Sequence, residues 1–351
     1  RPSSPRRTGG SRNSVRARRT MTALTNLSPQ LRRAWHPVGR IESFGETPTR
    51  IELIGEAFVV VRLHDVVKVF VDVCPHRNAR LSDGHVADGC LRCPYHGWEF
   101  DADGACAHVP ALGADATLPP ARLTAPFTQE RYGLLWIAPE EPVTEILHIP
   151  EWDDHTLTKV WMPPVDIDAA AAQAIDNFLD FSHFPYVHAG TFGTDKDRLV
   201  NEYSTERTDD GWGFVVRYPH VIENHEDPLV ATGEHPLVQD RLMRYDYRVP
   251  FTANLRLEIP MTGMVNAIVM WCQPMTLDRT RVHIVMIRND VRSEADHQAA
   301  IDYEMKIFSE DLKVIERLRD KTMPLERGQV HVRSDRHTVE FRRILQRLME
   351  S

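Results

Sequence analysis

Between Trp35 and Pro139 the apolar positions fall in short runs broken by polar turns, a pattern of strands rather than helices. Residues 50–54, 57–63 and 67–73 are β-branched runs, with Gly55 after the first. Residues 89–92 and 98–100 are two further strand-like segments, Asp101-Ala-Asp-Gly104 is a turn signal, and 132–138 closes the region as a strand. The stretch 139–150 is rich in Pro and Glu, as suits a domain boundary.

Beyond it the period changes. A strand around 157–162 precedes the Ala-rich segment 169–180, whose apolar stripe at three-to-four spacing predicts a helix. Asp168 is its expected N-cap, and Pro185 stops or kinks it. Between about 199 and 290 strand patterns return, at 213–218, 254–259, 265–271 and 280–287, and read as an antiparallel sheet with one buried face. Residues 295–317 predict a long, charged, amphipathic helix and 338–350 a final one. The expected class is α+β: a small all-β domain over 21–145, then a domain over 146–351 built on a large antiparallel sheet.

Composition adds limits. A chain of 351 residues with 42% hydrophobic content can bury two cores. The net charge of −8 argues against nucleic acid or an anionic membrane as the main partner. No run approaches the roughly 20 apolar residues needed to span a bilayer. Residues 1–20 hold seven arginines and almost nothing apolar, so they read as a disordered leader, or as sequence upstream of a start at Met21. The five cysteines, Cys74, Cys90, Cys93, Cys106 and Cys272, are odd in number and sit in a long chain, which argues against a disulfide scaffold. Two of them stand beside histidines, which points to metal in a cytoplasmic protein.

Those two are in Cys74-Pro-His76 and, sixteen residues later, Cys93-Pro-Tyr-His96. Each segment offers one thiolate and one imidazole at a spacing that fits loop tips better than strands. A tetrahedral zinc ion could also use this set, although zinc modules usually pair cysteine with cysteine. Mixed pairs fit a two-iron, two-sulfur cluster with thiolates on one iron and imidazoles on the other. The run from Cys74-Pro-His-Arg-Asn-Ala to Cys93-Pro-Tyr-His-Gly-Trp98 strongly resembles the Rieske cluster motif. The resemblance implies that Cys74 and Cys93 bind one iron, and His76 and His96 the other. Cys90 and Cys106 have no place in the motif and read as buried apolar cysteines.

The second constellation is Asp176-Asn-Phe-Leu-Asp180-Phe-Ser-His183-Phe-Pro-Tyr-Val-His188. Asp180 and His183 share a helix face at three-residue spacing, and a break at Pro185 can turn His188 back toward His183. Two imidazoles and a carboxylate form the facial triad that holds ferrous iron with positions left open. A single histidine near a helix end is more often a packed residue, and His108, His155, His235 and His297 are read so. The pair His183 and His188 stands apart because its spacing resembles the iron motif of the Rieske non-haem iron oxygenases, downstream of the cluster motif.

That resemblance, running from Trp35 to the C-terminus, implies a helix-grip-like catalytic domain behind the Rieske domain. It implies a third iron ligand on a late helix, for which Asp311 is the best match; Glu310 is the nearest rival, and Asp302 and Glu304 are weaker ones. It also implies that Asp180 joins a cluster histidine, His96, of a neighbouring subunit to His183 in a homotrimer with electron transfer between subunits. Asn177 is expected at the edge of the iron pocket, or as an ordinary helix amide. Phe178, Phe184, Tyr247, Phe251, Met270 and Trp271 are candidate pocket walls, though core is the commoner place for each.

In layout the chain resembles compact terminal oxygenases such as the methoxybenzoate and dicamba O-demethylases. The implied cofactors are a [2Fe-2S] cluster and mononuclear Fe2+, with O2 as co-substrate. No nucleotide fingerprint is present, so electrons from NAD(P)H must arrive through a separate reductase or ferredoxin. The implied reaction is monooxygenation, by hydroxylation or O-/N-demethylation, of a small aromatic or cyclic molecule. Arene cis-dihydroxylation uses the same metal set, and a zinc-stabilised binding module is the non-enzyme alternative.

Overall fold

The computed structural model describes residues 23–113, 116–194, 198–326 and 328–351. The expectation for residues 1–20 lies outside them.

The N-terminal part is all-β. Thr49–Leu53, Glu56–Leu63 and Val66–Val71 form one three-stranded antiparallel sheet, and His36–Arg40, Leu134–Ala138 and Phe127–Arg131 another. Four short strands, His85–Ala87, Cys90–Arg92, Glu99–Phe100 and Cys106–His108, make a third sheet. Two-residue turns drive this economy. Ile54–Gly55, His64–Asp65, Asp88–Gly89 and Tyr132–Gly133 all hold both residues at positive φ, the geometry whose twist matches that of a hairpin.

The second part carries an eight-stranded antiparallel sheet. Its strands are β1 (Thr158–Trp161), β2 (Val165–Ile167), β3 (Ser204–Arg207), β4 (Gly213–Glu223), β5 (Val238–Arg248), β6 (Thr252–Ile259), β7 (Met264–Pro274) and β8 (Thr280–Arg288). They lie in the order β1-β8-β7-β6-β5-β4-β3, with β2 also paired to β8. From β4 to β8 each strand simply turns back on the one before. Helices α1 (Ala171–Leu179), α2 (Phe184–Val187), α3 (Glu294–Ile315) and α4 (Arg336–Glu350) belong to the same domain, besides a short helical segment at Pro228–Thr232. α1 packs on β6 and β7 and against α3 and α4. No helix among the described residues is long and apolar enough to cross a membrane.

The two faces of β7 divide the labour by strict alternation. Asn266, Ile268 and Met270 face a pocket under the helices. Ala267, Val269 and Trp271 face the other way, into a core with Tyr132, Trp136 and Ile149. There Trp271 meets Trp136 edge-on at 6.1 Å and stacks on Trp161 at 5.9 Å, so it ties the N-terminal part to the sheet. Trp271 is therefore core, not pocket wall. Tyr247 and Phe251 are core as well: the Tyr247 hydroxyl donates to the Pro250 carbonyl, and its ring packs edge-on against Phe341 of α4.

Two local expectations are corrected. Asp168 does not cap α1. Ala170 holds the N-cap position, and the Gln173 side chain accepts its backbone N–H while donating to the Asp320 carbonyl. Pro185 does not end α1 either. The helix stops at Leu179, and Pro185 lies in the first turn of α2, where its missing N–H costs nothing.

The C-terminal helix holds α1 in place. His337 Nε2 donates to the Leu179 carbonyl at 2.6 Å, filling an acceptor left open at the helix end. Arg342 binds Asp176 with two hydrogen bonds of 2.7 and 2.8 Å. Replacing Arg342 by Met should leave the Asp176 carboxylate without its partner and cost about 3 kcal/mol. The check is a lower urea midpoint with an unchanged slope.

Candidate metal centres

The two cysteine loops are near copies in backbone geometry. Cys74 N–H donates to the Ala79 carbonyl and Cys93 N–H to the Trp98 carbonyl, both at 2.8 Å. The Cys74 and Cys93 carbonyls accept from the N–H four residues on, that of Asn78 and that of Gly97. Asn78 and Gly97 both have positive φ, which glycine adopts freely and asparagine tolerates. Each loop so turns its thiol inward. Cys74 and Cys93 are buried, His96 is exposed, and His76 is half-buried. Buried Asp72 braces the first loop by accepting from the Ser82 N–H and hydroxyl at 2.7 and 2.6 Å.

The donor set fits the expected cluster. The His76 and His96 rings meet at 4.6 Å, and His76 stacks on Trp98 at the same distance. His76 Nδ1 is buried with no hydrogen-bond partner, an acceptor aimed at something else. Burial and the neighbouring Cys93 push the Cys74 thiol up to about 11, which an adjacent cation would reverse. A single zinc ion fits poorly. Among the described residues no three of these four ligand atoms lie within 4.8 Å of one another, whereas one tetrahedral ion needs all four together.

One set of three does converge: His183, His188 and Asp311. The short helix α2 returns the chain so that His183 Nε2 and His188 Nε2 stand 3.2 Å apart. Asp311 Oδ1, from α3, lies 3.4 and 3.3 Å from them. Donors about 2.1 Å from one ion at right angles would lie about 3 Å apart. Asp311 Oδ1 is also buried and has no hydrogen-bond donor. This is a two-histidine, one-aspartate site of the kind that holds a mononuclear iron.

Both imidazoles are oriented from behind. The Asp180 carboxylate accepts the backbone N–H groups of Ser182 and His183 and, at 2.8 Å, His183 Nδ1–H. Glu310 accepts His188 Nδ1–H at 2.9 Å and the Thr191 hydroxyl at 2.6 Å. Glu310 thus stands behind His188 rather than in the ligand set. Of the other rivals, Asp302 bonds Gln298 on an exposed face, and Glu304 lines the pocket away from the triad. The backing role of Glu310 had no signal in the sequence, since its partner lies 122 residues away.

The triad opens on the pocket beneath the sheet. Asn177, Phe178, Phe184 and Met270 line it, with Phe192, Arg241, Tyr245, Leu255 and Leu257. Phe192 stacks on His188 at 4.7 Å and Phe184 meets His183 edge-on at 4.9 Å. Cys90 and Cys106 are half-buried, not core, because the short strands that carry them lie near the surface. All five cysteines are free.

Residues 34–124 match the Rieske [2Fe-2S] domain, and residues 167–351 match the vanillate O-demethylase oxygenase C-terminal domain. The chain belongs to the Rieske-domain terminal oxygenases, with a catalytic domain of the vanillate O-demethylase family. It is similar along nearly its full length to methylxanthine N1-demethylase NdmA of Pseudomonas putida, at 29% identity over 92% of this chain and 90% of that one. The structure of NdmA with caffeine aligns with a TM-score of 0.80 over 93% of both chains. Methylxanthine N3-demethylase NdmB of the same organism is 26% identical over 89% of this chain and 88% of its own length. Dicamba O-demethylase of Stenotrophomonas maltophilia is 35% identical over 49% of this chain and 52% of its own. The protein is an enzyme, a Rieske-type non-haem iron oxygenase.

Without metal, the triad has a marked proton balance. Burial disfavours a charged His183, but Asp180 and Asp311 outweigh it and lift its pKa from 6.5 to about 9. Burial likewise opposes the Asp311 charge, yet the two histidines hold it well below the usual carboxylate range. Folded His183 therefore keeps its proton over a window in which the unfolded chain loses it. Its stabilising contribution is full below pH 6.5 and is lost as pH rises through about 9. The thermal midpoint of the mononuclear-iron-free protein should fall across that window, more than in His183→Gln. The iron-loaded protein should lack this fall, because the ion takes the place of the proton.

Proposed function

We propose that this chain removes a methyl group oxidatively from a small planar ring system, foremost an N-methylated heterocycle. The observation that carries the reading is the convergence of His183, His188 and Asp311 on one wall of a largely apolar pocket. Similarity over about nine-tenths of both chains to two N-demethylases favours nitrogen over oxygen as the atom that bears the methyl.

In this reading Cys74, Cys93, His76 and His96 hold the [2Fe-2S] cluster, and His183, His188 and Asp311 hold ferrous iron. When bound, the cluster relays electrons and the iron supplies the place where O2 is reduced and one oxygen atom is delivered to a substrate C–H bond. Asp180 and Glu310 keep the protons of His183 and His188 on Nδ1, which leaves both Nε2 lone pairs for the metal. Phe178, Phe184, Phe192 and Met270 exclude water and clamp a flat ring, and Asn177 sits at the pocket edge as a polar guide. A hydroxylated N-methyl carbon then collapses to formaldehyde and an N–H.

The electrons come from cytoplasmic NAD(P)H through a separate reductase or ferredoxin. His96 is exposed at a loop tip, and the Asp180 side chain keeps 28% of its surface open. Both facts support a homotrimer in which His96 of one subunit reaches Asp180 of the next. In the same reading, residues 21–145 form the electron-entry domain and 146–351 the catalytic one.

The test is turnover with a ferredoxin–reductase pair, NADH and a panel of N-methyl and O-methyl arenes and heterocycles under labelled O2. Substrate-dependent formaldehyde matched to NADH use is the expected result. Products carrying two labelled oxygen atoms without formaldehyde would replace demethylation by cis-dihydroxylation.

A further inference from the structure

The pocket has a second polar end. Glu304 lies on α3 seven residues before Asp311, with Phe308 between them, and all three side chains line the cavity. That spacing keeps them on one helix face and puts the Glu304 and Asp311 backbones about 10 Å apart along the axis, room for a flat ring system between them. Glu304 is only 8% exposed, yet its carboxyl makes no hydrogen bond or ion pair among the described residues. A buried carboxyl without a partner is costly to the free protein.

Of the cations nearby, Arg288 is committed, and Arg241 lies on the iron side with its Nε buried and unpartnered. Arg288 binds Asp290 through two hydrogen bonds of 2.8 and 2.7 Å. Arg241 donates to His220 Nδ1 at 3.1 Å, and its guanidinium lies over the Phe192 ring at 4.9 Å, on the iron side of the pocket. Glu226, also lining the cavity, adds a second carboxyl. Burial raises Glu304 to about 7, with Glu226 and Asp311 adding to the rise and Arg288 and Arg241 opposing it. A negatively charged ligand group at this end would meet carboxyls; an N–H would meet an acceptor that nothing else occupies.

We infer that Glu304 is the substrate-recognition residue at the pocket end remote from iron, where it accepts a hydrogen bond from an N–H of the substrate, in a neutral ring or an ammonium group. This names the substrate class within the oxygenase reading above and rests on it. A carboxylate group placed at this end of the pocket is disfavoured by the same geometry.

Binding to the anaerobic holoenzyme is measured by calorimetry, separately from turnover, in wild type, Glu304→Gln and Glu304→Leu. The probes are theobromine, which keeps one ring N–H, caffeine, in which that nitrogen is methylated, and N-methylbenzylamine as the ammonium arm. A hydrogen bond to a charged group predicts about tenfold preference for theobromine over caffeine, or a similar loss of N-methylbenzylamine affinity in the variants. Leu should abolish either effect, and Gln should keep part of the neutral-ring preference but not ammonium binding. Both variants should melt no lower than wild type, since no partner is lost; a purely structural Glu304 would show the opposite. Selectivity that survives in Glu304→Leu, or no binding by any N–H probe, overturns the inference. Formaldehyde formation without Glu304-dependent binding leaves the oxygenase reading standing and sinks this one, and the reverse pattern does the converse.

Discussion

Three lone pairs aimed at one another govern the catalytic domain. His183 Nε2, His188 Nε2 and Asp311 Oδ1 lie 3.2 to 3.4 Å apart, and Asp311 Oδ1 has no donor. Such a cluster is stable only with a cation at its centre, a proton in the bare protein or a metal ion in the working one. The surroundings are arranged to keep it. Asp180 and Glu310 bind the far side of each imidazole, so neither ring can rotate away without losing a charge-assisted hydrogen bond.

Holding that geometry is a task for elements distant in sequence. His183 and His188 depend on where α1 stops, and α1 is fixed by His337 and Arg342 of α4. Asp311 and Glu310 depend on α3, which packs against α1. The sheet contributes by alternation: one face of β5, β6 and β7 supplies the pocket, and on β7 the other face meets the aromatic core shared with the N-terminal part. One helix surface on α3 therefore carries both the iron ligand Asp311 and, two turns away, the free acceptor Glu304.

Much of this was legible in the sequence because its signals are local. The cysteine loops need only a thiol, a proline and a residue that tolerates positive φ, all within six positions. The His183–His188 pair is likewise contained in one turn, and the strands at 254–259, 265–271 and 280–287 advertise themselves by β-branched runs. What escaped was non-local. Strand β5 has no clear bounds in the sequence, because Asp240, Arg241, Arg244 and Asp246 mask its alternation; Arg241 faces inward and is buried in the pocket. Trp271 and Met270 could not be told apart as core or pocket wall until the pleat assigned them to opposite faces. Glu310 and Asp311, adjacent in sequence, differ in role only through partners more than a hundred residues away.

The most direct measurement treats the dithionite-reduced enzyme with nitric oxide and records the spin-resonance spectra of the wild type, Asp311→Ala and Glu310→Gln. If Asp311 completes the iron site, Asp311→Ala loses the iron–nitrosyl signal while the reduced cluster signal persists. Glu310→Gln, which keeps the ligand set, should retain the nitrosyl signal at an Fe2+ affinity about 10–100-fold lower. A full nitrosyl signal in Asp311→Ala, or its disappearance from Glu310→Gln at saturating iron, would contradict the account.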